Sequence, residues 1–578
     1  MPDVLFVVPS MQKKLNNESL GTLILATVAR QGGIDVGIYR MYETECADYY
    51  SFIDNTVTNI LSRNPKIVSF YCRCDTYLRV IRLAEEIKRR NPNVYVVFGG
   101  PQADAGAVET IRSFDFVDFC CSGEGETTVV PLFSALLNGE DYSRIDGLCY
   151  RSEIGDVVQN KRPPMLQNLD ESPFVDYSFV PEEMFEDAIR NGDYVALDVG
   201  RGCPFNCTYC STSLFWKRKF RLKSNERIIE EIRILYEDHG IDRVSFSHDM
   251  FTGNKKQLLD FCDKLKASGL PILWNCFSRV DTIDEHVIAE MAEANVQVMF
   301  LGIESGSPRM QKLINKNLDL DRTIRIIKCI YEHNIGMTLS FMYGFPDETE
   351  EDVSMTMEYV FRIAKEISPE LFFRFHLCTL FQGSQLFEQY KNDLTFAPKQ
   401  SAFISTFDLQ GNTVEFLEKH KDVFPYYFEY RSPLRSKLGY FTAFMHICLD
   451  LYKLSRLLFD RYEKGKTINM YFDFVEANKE YLHIDMSFKE LIGKKWELFI
   501  RYAEFVLDSD ESNIFKELSR FFRESAEFEA SDEKDAVFSY NADISAYLKK
   551  ASLKDISGEK RFVVANKDDS DTVRFSVY

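Results

Sequence analysis

Short apolar runs alternate with amphipathic helical patterns from Val4 to about residue 379. That alternation restricts the chain to architectures built on parallel sheets. Residues 4–8 (VLFVV) predict a buried strand, 20–29 a helix, 35–39 a second strand and 66–71 a third. A long helix follows through Leu78, Leu83 and Ile87 to Arg90. A fourth strand, 94–98, ends in Gly99-Gly100-Pro101; a fifth, 116–120, leads to Gly123-Glu124-Gly125-Glu126 and a helix from Thr127. Such a sheet carries helices on both faces and binds ligands beyond the carboxyl ends of its strands. Those ends carry Pro9-Ser10, Gly99-Gly100 and Ser122-Gly123, which are backbone-permissive loops.

Residues 142–192 read as a connector, with Pro163-Pro164, Pro173, Pro181 and a hairpin around Gly155-Asp156. A second series begins at Tyr194, with strands at 194–199, 243–247, 272–276, 297–303, 336–343 and 371–379. Helical patterns at 225–239, 255–268, 284–294, 308–316, 321–334 and 350–366 separate them. Six such units in roughly 190 residues fit a partial (β/α)6 barrel open on one side; a doubly wound sheet satisfies the same spacing. After residue 390 aromatics and charges dominate, with helices at 434–463, 487–507 and 512–527. The acidic stretch 507–535 reads as solvated surface, and Arg561 to Tyr578 as two strands around Lys567-Asp568-Asp569-Ser570. The expected organisation is therefore 1–141, a connector 142–192, 193–390, and a mainly helical 391–578.

The 578 residues include 69 basic and 89 acidic side chains, a net charge of −20. This balance argues against a nucleic-acid partner, because phosphate tracking relies on clustered Lys and Arg. The longest apolar run, Leu438 to Leu449, is 12 residues, short of the about 20 a bilayer span needs. Met1 to Ser10 has neither a basic n-region nor a small-residue cleavage site. The expectation is a cytoplasmic enzyme without a membrane span. Most of the 14 cysteines sit in apolar runs, as buried thiols do, and are not a disulfide framework.

One cysteine cluster stands apart. Residues 200–211 read GRGCPFNCTYCS, so that Cys203, Cys207 and Cys210 form C-x3-C-x2-C directly after a strand. A short loop with Pro and Asn turns several thiolates towards one point, as iron–sulfur or zinc sites require. Three ligands leave the fourth iron of a cubane open for a substrate or cosubstrate. Structural zinc usually closes with four ligands, and no second C-x2-C pair follows. Three core cysteines by coincidence is the remaining alternative.

This loop, on the first strand of a (β/α)6-like region, resembles that of the radical S-adenosylmethionine superfamily, over roughly residues 190–390. The resemblance implies that Cys203, Cys207 and Cys210 hold a [4Fe–4S] cluster. It further implies that S-adenosylmethionine chelates the fourth iron and is cleaved reductively to a 5′-deoxyadenosyl radical. Tyr209 matches an aromatic position near adenine; loop packing is its alternative role. Ser247-His248-Asp249-Met250-Phe251-Thr252 resembles the DDxFT strand end whose backbone holds the methionine amine. Here His248 replaces the first acid, as a proton relay or simply a polar loop residue. Gly302-Ile303-Glu304-Ser305-Gly306 matches the ribose and carboxylate loop, in which Glu304 can accept from ribose hydroxyls. Gly344-Phe345-Pro346-Asp347-Glu348-Thr349 resembles the GxPxET turn beside adenine, with Glu348 and Thr349 capping the next helix. Arg279 is placed to pair with the S-adenosylmethionine carboxylate, or else with Asp281 or Glu304. Lys217, Arg218, Lys219 and Arg221 form either a lip over an anionic substrate or a solvated approach to a helix. No side chain is singled out as a catalytic acid or base.

The first 140 residues resemble the Rossmann-like cobalamin-binding domain attached to one large class of these enzymes. Leu20-Gly21-Thr22, Phe98-Gly99-Gly100-Pro101 and Ser122-Gly123-Glu124-Gly125-Glu126 carry the likeness, with Gly99, Gly100 and Gly123 as cofactor contacts. The cobalt-ligating D-x-H-x-x-G motif is missing, no His occurs before residue 239, and Gln102 replaces a frequent His. Cobalamin would then receive no His from this domain; a vestigial domain that only packs on the barrel is the alternative. The fold class implied is α/β: an N-terminal cobalamin-binding-type domain, a central partial barrel and a mainly helical C-terminal region. The resemblance implies cobalamin-dependent methylation of an unactivated carbon in a small-molecule or peptide substrate, with a flavodoxin- or ferredoxin-type reductant. Radical cyclisation, ring contraction or another rearrangement is the second expectation, and a non-catalytic iron–sulfur scaffold the third. Residues 391–578 are expected to close the barrel or supply a lid. With Cys448 their only cysteine, one cluster is expected in total, in an oxygen-sensitive protein.

Overall fold

The first five strands are β1 (Val4–Ser10), β2 (Val36–Tyr42), β3 (Ile67–Tyr71), β4 (Tyr95–Gly99) and β5 (Phe119–Cys121). They pair in parallel in the order β2-β1-β3-β4-β5. Their centres are buried on both faces, which is why they read as continuous apolar runs rather than alternating ones. Helices Leu20–Gln31 and Val129–Asn138 cover one face, where Phe6 and Phe133 meet edge to face at 5.7 Å. Helices Tyr49–Leu61 and Tyr77–Arg90 supply the core of the other. The first of these was not expected; Asp48 caps it, and Phe52, Val57 and Ile60 bury one stripe. The strand order reverses at β1, which opens a crevice at the carboxyl ends of β1 and β3. Residues 116–118, expected to begin the fifth strand, precede it instead, after a turn in which Phe114 stacks on Phe116.

The computed structural model describes residues 1–10, 14–15, 19–42, 48–398, 408–483, 486–529, 535–540, 561–567 and 573–577. Cys46, the 568–570 part of the expected last turn and part of the 507–535 stretch lie outside them. By its contacts the chain divides into two units. One holds Met1–Gly302, Leu313–Thr338 and Cys378–Arg431; the other holds Ile303–Lys312, Leu339–Leu377 and Ser432–Tyr578.

In the first unit the expected hairpin forms from β6 (Leu148–Arg151) and β7 (Val157–Gln159). It pairs antiparallel onto β5, so the first sheet continues to Gln159, past residue 141. Residues 408–431, expected in the C-terminal region, pack on this same core through Leu417, Val423, Phe424 and Tyr427. Arg79 and Asp408 fasten them by a buried ion pair at 2.5 Å.

The next strands are β8 (Val195–Asp198), β9 (Gly200–Arg201), β10 (Arg221–Leu222), β11 (Arg243–Ser247), β12 (Leu273–Ser278), β13 (Val296–Glu304), β14 (Gly336–Tyr343) and β15 (Phe372–Leu377). Apart from the antiparallel pair β9–β10, they form a sheet ordered β15-β14-β13-β12-β11-β8. Each strand lies beside its predecessor with no reversal, so the barrel arrangement replaces the doubly wound alternative. Burial alternates along β12: Trp274, Cys276 and Ser278 are buried, whereas Phe277 is 42% exposed on the opposite face.

In the second unit the helix expected at 434–463 is broken into Pro433–Lys437, Phe441–Asp450 and Tyr452–Phe459. An unexpected helix, Ile468–Ala477, follows, then Phe488–Gly493, Lys495–Val506 and Ser509–Glu529. The last helix buries Phe515, Leu518 and Phe521, so this acidic stretch is amphipathic rather than wholly solvated. Arg561–Lys567 pairs antiparallel with Val573–Val577 and also with Asp535–Tyr540. Among the described residues no helix is long and apolar enough to cross a membrane.

Candidate cofactor cavity and cluster loop

The pairing of β9 with β10 throws residues 202–220 into an excursion that carries all three cysteines of the motif. Gly202 starts it at φ +84, and a Cβ there would lie 2.1 Å from the Lys219 carbonyl oxygen, so only glycine fits. The loop is held from outside. Thr208 N–H donates to the Ile314 carbonyl at 3.1 Å, and Leu386 N–H to the Thr208 carbonyl at 3.0 Å. Asn315 Nδ2 donates to the Asn206 carbonyl at 2.8 Å. Cys207 is buried; Cys203 and Cys210 are half-buried. Burial pushes the Cys203 thiol up to about 11, with smaller upward contributions from Cys210, Cys207 and Asp249. The three thiols therefore share one neighbourhood.

Arg279 sits beside this loop, stacked 3.7 Å over the Phe205 ring. Its Nη1 donates to Cys207 Sγ at 3.4 Å, while Nε and Nη2 fork onto Asp281 at 2.9 Å each. Nη2 also donates to the Lys316 carbonyl at 2.8 Å. Of the expected roles for Arg279, the structure displays the ion pair with Asp281 rather than a fork held open for a carboxylate. Lys316 Nζ donates to Tyr209 Oη at 3.3 Å, which packs Tyr209 into the same support. This donor set suits a [4Fe–4S] cluster: three thiols on one braced loop, with a guanidinium beside one of them. Among the described residues no three His, Cys, Asp or Glu side chains are grouped to hold a single metal ion. A cubane, which takes each thiolate on a different iron, does not require such a group.

A cavity of about 600 Å³ lies within the same unit. From the first sheet it is lined by Phe6, Ser69, Val97, Gly99, Gly100 and Gly123, and from the helices by Leu20, Leu25, Val129 and Phe133. From the second sheet come Asp198, Arg201, Ser247, His248, Asp249 and Phe277, with Phe215 and Trp216 from the cysteine excursion. The expected contacts Gly99, Gly100 and Gly123 thus share one wall system with Ser247, His248 and Asp249. A Cβ on Gly99 would have nothing within 4 Å, so this glycine leaves a cradle open on the cavity side of β4. The volume, apolar walls and open cradle fit a large cofactor such as cobalamin.

Two groups on this wall are shifted by burial. Asp249 is pushed up to about 6, against hydrogen bonds from Gly202 N–H and the Thr212 side chain. His248 is held down to about 4 and is neutral at pH 7; its Nδ1 accepts from Met250 N–H at 2.9 Å.

Beside the cavity lies an ion cluster that the motif reading missed. Arg201 Nη1 meets Glu124 Oε1 at 2.7 Å and Arg201 Nη2 meets Glu126 Oε1 at 2.5 Å. Arg221 also pairs with Glu124, at 3.0 Å, and Leu166 N–H donates to Glu124 Oε2 at 2.6 Å. Burial alone would raise the Glu124 carboxyl; the Arg221 and Arg201 hydrogen bonds outweigh it and hold it low. Arg221 is therefore a buried ion-pair residue, neither a lip nor a solvated one. Lys217, Arg218 and Lys219 lie exposed in a short turn, and helix Asn225–His239 begins four residues after Arg221. The available signal was two carboxylates two apart between glycines, and an arginine two residues before Cys203.

In the second unit, Glu304 ends β13 with φ +70, buried. Ser305 is fully buried and hydrogen-bonded to Thr356 at 3.1 Å, so its hydroxyl is already engaged. Gly344 N–H donates to Glu348 Oε2 at 2.5 Å, and Arg435 Nη1 donates to the Gly344 carbonyl at 2.6 Å. Pro346 is buried in that turn. Thr349 caps helix Glu350–Glu366 in a capping box completed by Asp352. Glu348, expected to cap as well, instead closes the Gly344 turn.

Two family models match the chain: the Radical SAM superfamily over residues 197–360 and the B12 binding domain over residues 14–133. An uncharacterised methyltransferase of Pyrococcus horikoshii is 35% identical over 326 residues, covering 56% of this chain and 69% of that protein. The anaerobic magnesium-protoporphyrin IX monomethyl ester cyclase of Rubrivivax gelatinosus is 25% identical over 299 residues, 51% of this chain and 52% of the cyclase. The chain thus spans about half the length of that second relative. Among solved structures, the radical S-adenosylmethionine methyltransferase TsrM of Kitasatospora setae, with cobalamin and a [4Fe–4S] cluster bound, shares the fold. Its TM-score is 0.58 at 16% identity, over 87% of this chain and 100% of that one.

Proposed function

This chain belongs to the radical S-adenosylmethionine enzymes that carry a B12-binding domain, and on that premise we propose that it methylates an unactivated carbon of a small-molecule or peptide substrate. The enzyme uses a [4Fe–4S] cluster, S-adenosylmethionine and cobalamin. One observation carries the reading: a single cavity is walled by Gly99, Gly100 and Gly123 on one side and by Ser247, His248 and Asp249 on the other. The β9 residue Arg201, on the same wall, leads directly into the cysteine loop.

When bound, the cluster supplies the electron that splits S-adenosylmethionine to a 5′-deoxyadenosyl radical, and cobalamin carries the methyl group. We assign cobalamin binding to residues 1–141 and cluster and S-adenosylmethionine binding to 193–390. Cys203, Cys207 and Cys210 would hold the cluster, and the Arg279 guanidinium would stabilise negative charge on Cys207. Ser247 to Asp249 would hold the methionine amine. Glu304, the Ser305 backbone, Gly344 and Pro346 are the proposed ribose and adenine contacts. Gly99 would leave room for the cobalamin, and the apolar walls around it would keep water away from the reacting centre.

The test is anaerobic reconstitution with iron, sulfide and hydroxocobalamin, followed by product analysis. Retained cobalamin, 5′-deoxyadenosine and a product heavier by one CH2 are expected. A product of unchanged mass would instead favour rearrangement, the reading suggested by the cyclase relative. Deoxyadenosine without retained cobalamin would defeat methylation.

A further inference from the structure

Each cleavage of S-adenosylmethionine breaks one sulfonium C–S bond and takes one electron, giving methionine and the 5′-deoxyadenosyl radical. In the reaction proposed above, on which this inference rests, that electron comes from a carrier outside the chain. The surface next to the cysteine loop has an unusual charge. Lys217, Arg218 and Lys219 are exposed, and none has an acidic partner among the described residues. The backbone is left-handed at Lys217 and Arg218, with φ of 49° and 56°, and Lys219 N–H returns to the Trp216 carbonyl at 2.9 Å. A tight turn thus presents three cations in a row. Its backbone touches the cluster loop: the Lys219 carbonyl abuts Gly202, the residue before Cys203. Phe215 and Trp216 line the cavity, whereas Lys217 to Lys219 do not, so the cations do not serve its contents.

A chain of net charge −20 repels acidic proteins on the whole. A basic turn on the loop that needs the electron reverses that repulsion locally, steering an acidic partner to the loop that carries the three cysteines. We propose that Lys217–Lys219 is the docking face for an acidic, low-potential electron-carrier protein that reduces the cluster.

The test compares wild type with the K217E/R218E/K219E variant, both loaded with cluster and cobalamin. Cluster bleaching is followed after mixing with reduced flavodoxin or with titanium(III) citrate, which needs no docking face. With flavodoxin the variant should be reduced about tenfold or more slowly and lose most of the salt dependence of the rate. With titanium citrate the two proteins should agree within about twofold, and deoxyadenosine should form in both. The single R218E variant guards against a folding defect and should show a smaller loss of the same kind. Equal flavodoxin rates in wild type and variant would overturn the docking face while leaving the radical reading intact. Parallel loss with both reductants would overturn it too, by showing that the turn serves the cluster itself. Wild-type cluster that titanium citrate reduces without deoxyadenosine would overturn the radical reading, and the docking face with it.

Discussion

Glu348 shows how one residue can look like a cap and act as something else. It immediately precedes Thr349, the residue that caps the helix, yet its buried carboxyl accepts from Gly344 N–H. Burial pushes this carboxyl up to about 8 from an ordinary 4.5, so the folded protein holds a proton there that the unfolded chain releases. The folded state binds more protons between those values, and stability must fall as pH rises. The contribution is complete below about 4.5 and is lost on rising through about 8. Each pH unit inside that window is worth at most about 1.4 kcal/mol. An E348Q variant keeps an amide oxygen for Gly344 and cannot ionise. Its Tm should therefore gain on wild type as pH is raised from about 5 to about 8; a constant difference across that range would refute the assignment. Glu304, a buried non-glycine residue in the left-handed region, stores about 1–3 kcal/mol of backbone strain at the end of β13.

At the scale of elements, the first sheet, the connector and the β9–β10 hairpin meet at Glu124. Its carboxylate takes two guanidinium groups and one backbone N–H, and only 2% of its side chain is exposed. Removing one partner of such a cluster leaves buried charge uncompensated, which costs about 3–5 kcal/mol. An E124A variant should therefore lower the thermal transition markedly and speed exchange of the Leu166 amide. Because Arg201 leads into the cysteine loop, reconstituted iron content should fall as well. An unchanged transition and unchanged iron would show that the cluster of charges is incidental. The same element logic explains the cysteine excursion: two paired strands of two residues each are enough to project a loop, because Gly202 lets the chain pass under Lys219.

At the scale of the whole molecule, cofactor binding and folding are linked. A cofactor that binds the folded chain alone stabilises it by mass action, by about 2.7 kcal/mol at a hundredfold excess over Kd. Hydroxocobalamin should thus raise the transition temperature of the wild type. A G99L variant, whose side chain enters the open cradle on β4, should lose that increment and bind cobalamin at least about tenfold more weakly while keeping its iron. Undiminished stabilisation of G99L would place cobalamin elsewhere. Much of this molecule is local and was legible in the amino-acid order. Strand runs such as 243–247 and helices such as 225–239 and 350–366 follow from short-range periodicity and caps. The C-x3-C-x2-C spacing likewise places three thiols on one loop whatever surrounds it. The remainder depends on contacts between residues far apart in the chain. Those contacts pair Arg201 and Arg221 with Glu124, bring residues 408–431 onto the first core and put Gly99 and Asp249 on one cavity. Periodicity carries no information about which distant surfaces meet. Burial and charge pairing choose those partners only when the chain is folded, and there the tertiary structure alone decided.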